Sequence, residues 1–431
     1  MGAEHHDALR RGRVAVYLLF LVGGTAIGTW TARIPAIKHG LGLTDGQLSL
    51  GLLGLAAGAI TGMQVVGRLV DRYGSARVMV PAALVEGAVL IPPAYAPNLG
   101  TLAVALFAFG AVHGTLNIAM NANAVRVERA WGRPLLSSFH AAYSIGGFVG
   151  AAVGGLFAYA DLGAAATFVT VAVLVAVLAL GAASWAWSPV DDRAGAAATT
   201  RLPGAGSQPG AVPKQRSPAS TGADRRMPGV GFLGLLAFCA LVGEGAAADW
   251  STVYLRDSLG SSAGFAAAAY AAFSVAMTAG RLVGDRLTTA LGPVRLVRGC
   301  GMLAAVGLGA ALLIDHPVAG VLGFGCFGAG LSCIAPQAFS AAGNRHPDRA
   351  GAALARVASL GYLGFLTGPV LIGGAAELIG LPRALVIPVL LAVFVAGTAT
   401  ALRHRRVAIP VPPRKIMGQG VESGASGATD R

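Results

Sequence analysis

Twelve apolar runs, each roughly 18 to 25 residues long, recur along this chain from Val14 almost to its end. Each is long enough to cross a hydrocarbon core about 30 Å thick as a helix. They fall at 14–32, 46–66, 78–96, 100–125, 137–159 and 164–187, then at 230–254, 262–284, 294–314, 318–342, 357–376 and 384–402. Lipid offers no partner to an open backbone amide, so each run must be a helix that satisfies its own N–H and C=O groups. The expected fold is an all-α membrane protein of twelve transmembrane helices. Charged residues make up only 12% of the chain, against about 25% in an average soluble domain, which argues against a water-soluble globule. The first run follows "RRGR" but is too long for a signal peptide and lacks a small-residue cleavage site, so it reads as a retained helix.

A net charge of +13 would suit nucleic acid, but its distribution along the chain points elsewhere. With both termini placed on the cytoplasmic side, only Arg33, Lys38, Arg256 and Arg383 of the 32 lysines and arginines fall outside. This asymmetry is the positive-inside pattern. The basicity is topological, and membrane lipid rather than nucleic acid is the acidic neighbour. The expected location is a bacterial-type cytoplasmic (inner) membrane, multi-pass, with both termini cytoplasmic. Cys239, Cys300, Cys326 and Cys333 all sit inside apolar runs with no CxxC or Cys/His spacing, so neither a disulfide framework nor a zinc site is expected. No P-loop, metal cluster or nucleophile–base spacing stands out, and neither an enzymatic activity nor a bound cofactor is expected.

The chain divides into a tail at 1–13, six helices over 14–187, a linker at 188–229, six more helices over 230–402 and a second tail at 403–431. The linker holds six prolines and almost no large apolar side chain, the composition of a disordered cytoplasmic connection. The halves repeat each other. "GRLVDR" at 67–72 returns as "GRLVGDR" at 280–286, "NIAMN" at 117–121 aligns with "CIAPQ" at 333–337, and "GFVGAAVGG" at 147–155 aligns with "GFLTGPVLIGG" at 364–374. Three matches in order at nearly constant spacing indicate a duplicated six-helix unit. Two such repeats around a central site form a recurring transporter architecture.

"GRLVDRYGSAR" at 67–77 resembles the signature loop between the second and third helices of the major facilitator superfamily. Gly67, Asp71, Arg72, Gly74 and Arg77 fall on its Gly, acid, basic, Gly and basic positions. "GTWTARIPAIK" at 28–38, "MNANAVRVERAWGRPLLSSFHAAYSIGG" at 120–147 and "GAAADWSTVYLRD" at 245–257 resemble segments of the bacterial fucose-permease-like branch, many of whose members have no assigned substrate. The resemblance implies two six-helix bundles that rock around a central cavity. Independently of it, Gly67 permits close approach of a neighbouring helix, and Asp71 can accept from the open amides of a helix N-terminus. Arg72 and Arg77 can pair with acids or lipid phosphates. With the echo at Arg281, Asp285 and Arg286, these residues read as a latch on the cytoplasmic gate.

His113, Asn117 and Asn121 lie within roughly 80° of one another around the fourth helix at ~100° per residue, a polar stripe in an apolar span. Asn123 points away from it, where a structural bond or headgroup contact is the simpler account. The resemblance implies that the fourth helix lines the cavity, where uncharged amides would suit a hydroxyl-rich ligand. Gln337 and Ser340 occupy the matching region of the tenth helix. Ionisable side chains inside lipid are costly and mark functional candidates. Glu244 on the seventh helix is the first choice for a proton-binding carboxylate, with His113 as the second. Asp249 beside Trp250 and Tyr254 suits an outer gate or anchor, Glu86 a structural partner, and His140 either a cavity position or a headgroup contact. The fucose permease carries acids in its first and fourth helices for coupling; here those helices hold Thr25, Thr29 and Thr31 and His113. The expected function is secondary active transport of a small polar solute, sugar or sugar-like, by a monomer driven by the proton gradient. The alternatives are an exporter of amphipathic compounds and a non-transporting receptor.

Overall fold

The structure, a computed structural model, describes residues 3–43, 45–186, 227 and 229–403. The linker expected at 188–229 lies outside these residues apart from Met227 and Gly229, as does the C-terminal tail beyond Arg403. Seven helices come first: α1 (Ala3–Gly40), α2 (Asp45–Tyr73), α3 (Ser75–Val89), α4 (Leu99–Trp131), α5 (Leu136–Tyr159), α6 (Ala164–Ala186) and α7 (Val230–Val253). A 52-residue helical stretch, Ala263–Ile314, follows. Drawn straight it would run about 78 Å, more than twice a bilayer core. Gly292 breaks it at φ 76 and ψ 159, a conformation open to glycine, and Pro293 follows with no N–H to carry the ladder across. The stretch is therefore two crossings, α8 (263–291) and α9 (293–314). The span Pro317–Arg345 (α10) is interrupted at 332–333; Ala350–Ile379 (α11) and the span Leu381–Leu402 (α12) complete the chain. Among the described residues, eleven continuous segments are long and apolar enough to cross a membrane, and dividing one at Gly292 gives the expected twelve.

Helix ends differ from the apolar runs. α1 starts at Ala3 instead of 14 and has 38 residues, about 57 Å of helix. α4 does not stop at 125 but continues through Arg126, Glu128 and Arg129 to Trp131, where Gly132 at φ 71 ends it. Hydropathy marks where lipid ends; a helix continues into water as long as its backbone bonds are made. At its other end Asn98 and Thr101 form a reciprocal capping box.

Within the first six helices the main packing pairs are α1 with α5 and α6, α2 with α4, and α3 with α4 and α6. In the second six, α7 packs on α11 and α9 on α12. Backbones approach closely at glycines: a Cβ on Gly28 would overlap the Gly147 carbonyl, and one on Gly146 or Gly150 would strike the carbonyls of Leu21 or Thr25. The α5 glycines thus seat α1, an ordinary device for packing helices in lipid. The two bundles meet through α2 against α11 and α5 against α8, with α4 touching α10 and α11. The turns after α2, α4, α8 and α10 gather at one end, called here the basic end after its arginines.

Candidate functional site

Between the bundles lies a cavity of about 510 Å³. Its base is polar: Asn117 from α4, His140 and Tyr143 from α5, Glu244 from α7, Arg281 from α8 and Tyr362 from α11. Its walls are apolar and aromatic, from Trp30 to Phe365, and reach Ile34 and Leu52 towards the far end. Arg281 donates through Nη1 to Ser144 Oγ at 2.6 Å, and its Nη2 stands 3.7 Å from Glu244 Oε2. That second distance is ion-pair range but longer than a hydrogen bond. The guanidinium therefore crosses the bundle interface and meets its counter-ion only loosely.

The asparagine stripe divides into two. Asn117 lines the cavity, whereas Asn121 is fully buried behind it. Asn121 donates to the Asn117 carbonyl at 2.8 Å, and its Oδ1 accepts from His140 Nε2 at 3.2 Å. This assigns the His140 proton to Nε2 and aims the ring. Phe20 meets His140 edge-on at 5.3 Å, and Phe339 of the other bundle stacks on it at 5.8 Å. Asn123 donates to Ser75 Oγ at 3.1 Å, tying α4 to α3.

His113 sits one layer further back. Its Nδ1 is 2.6 Å from Glu86 Oε1 on α3, and its Nε2 is 3.1 Å from the Tyr143 hydroxyl. Glu86 and His113 are both buried, so each is the other's compensation, and Tyr143 links the pair to the cavity. Removing one partner leaves an uncompensated buried group, a cost of about 3–5 kcal/mol. His113→Ala is accordingly expected to lower the melting temperature of the detergent-purified protein sharply; a melt equal to that of the unaltered protein would show that the pair carries no stability.

Towards the basic end the bundles are sealed in layers. Gln64 donates to Ser359 Oγ at 2.8 Å, joining α2 to α11. Below it, the Gly351 and Ala352 N–H groups at the start of α11 donate to Asp71 at 2.7 and 3.1 Å. The Ser137 and Ser138 N–H groups at the start of α5 donate to Asp285 at 2.9 and 3.0 Å. Each aspartate thus caps a helix of the opposite bundle, and the repeated motif makes the same joint twice. Gly67 brings α2 against Gly351, Ala352 and Ala355. Arg72 is exposed at the end of α2, over the Tyr73 ring, Arg286 is exposed five residues before the end of α8, and Arg77 is exposed in the first turn of α3.

Glu128 adds a joint that the apolar runs hid. It accepts from the Leu135 and Leu136 N–H groups at 2.9 and 3.2 Å and from Ser340 of α10 at 2.5 Å. Beside it Arg129 donates to Asn344 Oδ1 at 2.7 Å and to the Gly343 carbonyl. Gln337 donates to Thr288 Oγ1 at 2.9 Å and lines a separate 330 Å³ pocket on the basic side of this seal, together with Glu128, Ser340 and Asn344. Arg281, expected from the repeat as part of the latch, stands instead at the cavity base. Counting back four residues from each aspartate gives Gly67 in one half and Arg281 in the other. The one-residue insertion in "GRLVGDR" is the signal that could have exposed it.

Two six-helix bundles around a cavity closed at one end define a membrane transporter. The sequence profile of the Major Facilitator Superfamily matches residues 15–369, and the chain belongs to that family. An uncharacterized transporter of this type from Yersinia pestis is 34% identical over 405 residues, covering 92% of this chain and 98% of that protein. The membrane protein MosC of Rhizobium meliloti is 28% identical over 419 residues, 96% of this chain and 95% of that one. Among solved structures, the E. coli fucose:proton symporter superposes with a TM-score of 0.69 at 16% identity, covering 91% of this chain and 98% of that one. A human organic anion transporter gives 0.65 at 14%, covering 92% and 99%. These likenesses concern the fold.

Proposed function

We propose that this transporter moves a small polar solute, sugar or sugar-like, together with protons, by rocker-switch alternating access. The observation that carries the reading is the polar cavity base, where Glu244 and Arg281 face each other beside Asn117 and His140. Asn117 and His140 offer hydrogen bonds to solute hydroxyls, and Asn121 holds His140 in place. Glu244 is the proton-binding carboxylate, and His113 is a second proton site reached through Tyr143. Gln337 receives the solute on the inner side. By the distribution of Lys and Arg the basic end is cytoplasmic, so the form described is closed inward, and Asp71, Asp285, Gly67, Arg72, Arg77 and Arg286 form its gate. The protein works as a monomer in a bacterial-type cytoplasmic membrane, on the proton gradient alone, with membrane lipid around it. The fucose:proton symporter of the same fold couples a sugar to protons, which supports the reading without fixing the solute.

The aromatic walls, Trp30, Phe339 and Phe365, favour one alternative, export of amphipathic compounds. A thermal-shift screen of sugars, sugar acids, nucleosides, amino acids and lipophilic cations separates the two. A solute at a hundred times its dissociation constant stabilises by about 2.7 kcal/mol. Asn121→Ala frees the His140 ring and is expected to abolish transport, and the stabilisation by a polar solute with it, while the unliganded melt stays near normal. Stabilisation by lipophilic cations alone, equal in both proteins, would favour export.

A further inference from the structure

The cavity base holds more hydrogen-bond donors than its own acceptors satisfy. At the base, Arg281 Nε is buried without a hydrogen-bond partner among the described residues, as is the Trp30 indole N–H in the cavity wall. Both groups donate and cannot accept. The available acid, Glu244, stands 3.7 Å from the guanidinium and 35% exposed to the cavity, whereas Arg281 is only 11% exposed. Nη1 is taken by Ser144, whereas the Nε and Nη2 edge makes no hydrogen bond among the described residues, and such an edge fits a carboxylate two bonds at a time once the side chain turns it to the cavity.

We infer that the solute carries a carboxylate, as a hydroxy acid or sugar acid does, which binds Arg281 in competition with Glu244. The inference rests on the polar-solute reading above and names its chemical class. With Glu244 ionised the pair is neutral, and a second anion entering a space walled by Trp30, Phe339 and Phe365 finds no net attraction. With a proton on Glu244 the Arg281 charge is uncompensated, and the anion has its site. Proton and anion therefore bind together from one side and leave together on the other, and the loaded cavity carries no more charge than the empty one. Asn117, His140 and the tyrosines remain for the hydroxyls of the same solute.

Other titratable groups face this pair. Tyr270 from α8, Tyr143 and His140 from α5 and Tyr362 from α11 lie within electrostatic reach of Glu244 or Arg281, and the His113–Glu86 pair stands behind Tyr143. Of these, His140 and His113 could imitate the linkage by taking up a proton themselves. A single linked proton makes the dissociation constant of the anion rise tenfold per pH unit at its steepest, because each ligand strengthens the binding of the other by the same factor.

The test is equilibrium binding to the purified full-length protein between pH 5 and 8, with gluconate and glucuronate as acidic probes and glucose and sorbitol as neutral ones. The acids are expected to bind at least tenfold more tightly than the neutral probes at pH 5, with affinity falling as pH rises. Glu244→Gln is expected to keep acid binding and lose the slope; His140→Gln is expected to keep the slope. Arg281→Gln should weaken the acids at least tenfold, and Arg281→Lys should recover part of that. Neutral probes binding as well as acids would overturn the carboxylate inference and leave the polar-solute reading intact. Silence on both acids would also overturn it, and binding of lipophilic cations alone would remove both readings. A slope that survives Glu244→Gln would overturn the competition at Arg281, transferring the proton to His140 if it disappears in His140→Gln and to His113 if it does not.

Discussion

Replacing Asp71 and Asp285 together by asparagine is expected to convert a protein closed at its basic end into one largely open there. Each aspartate accepts two N–H groups from the first turn of a helix in the other bundle. Hydrogen bonds to a charged group contribute about 1.5–3 kcal/mol, and the charge at a helix N-terminus adds roughly 0.3–1 kcal/mol. Asparagine keeps one acceptor and loses the charge, so each substitution should cost the closed state about 1–2 kcal/mol, close to a tenfold shift. The two joints share no partner, and their effects should add to roughly a hundredfold. Ala335→Cys, in the cavity behind these joints, reports the change to a membrane-impermeant maleimide supplied from the basic end when the four native cysteines are replaced. Its maleimide labelling should rise about tenfold in either single variant and further in the double. Labelling at the original rate in the double variant would show that these caps do not hold the gate.

The second large effect is expected at Glu244. Glu244→Gln preserves the size of the side chain and removes the proton-binding group from the cavity base. Concentrative uptake driven by a pH gradient should fall to background, a loss of up to about a hundredfold in the accumulation ratio that one coupled proton sets across one pH unit on either side of neutral. Exchange of labelled for unlabelled solute should continue, because exchange returns the carrier loaded and needs no net proton movement. Loss of both activities would make Glu244 a solute contact, and retention of both would move coupling to the His113–Glu86 pair behind Tyr143.

How far the sequence could be read depended on what each signal measures. Apolar length located the crossings because lipid imposes it, and Gly292 followed by Pro293 marked a break that helical continuity alone would have missed. The same signal was blind to the water-exposed end of α4, where Glu128 and Arg129 continue the helix and reach α10. Asp71 and Asp285 could be paired from the repeat, since duplication preserves the joint each one makes. Arg281 could not, because a one-residue insertion turned it from the gate into the cavity. Angular position placed His113, Asn117 and Asn121 on one face, but which of them reaches open space depends on neighbouring helices. Glu86 and Tyr143, from α3 and α5, take up His113, and His140 takes up Asn121. Such partners arrive from distant sequence and leave no local periodicity.

The most direct test of the account is solute-driven proton movement in proteoliposomes holding a pH-sensitive dye, with no gradient imposed at the start. Adding the polar solute found in the binding screen to the outside is expected to acidify the interior as solute enters, and Glu244→Gln should abolish the signal. Solute entry with no change in interior pH would make the protein a uniporter, and alkalinisation on entry would make it an exchanger; either result would contradict proton-coupled uptake.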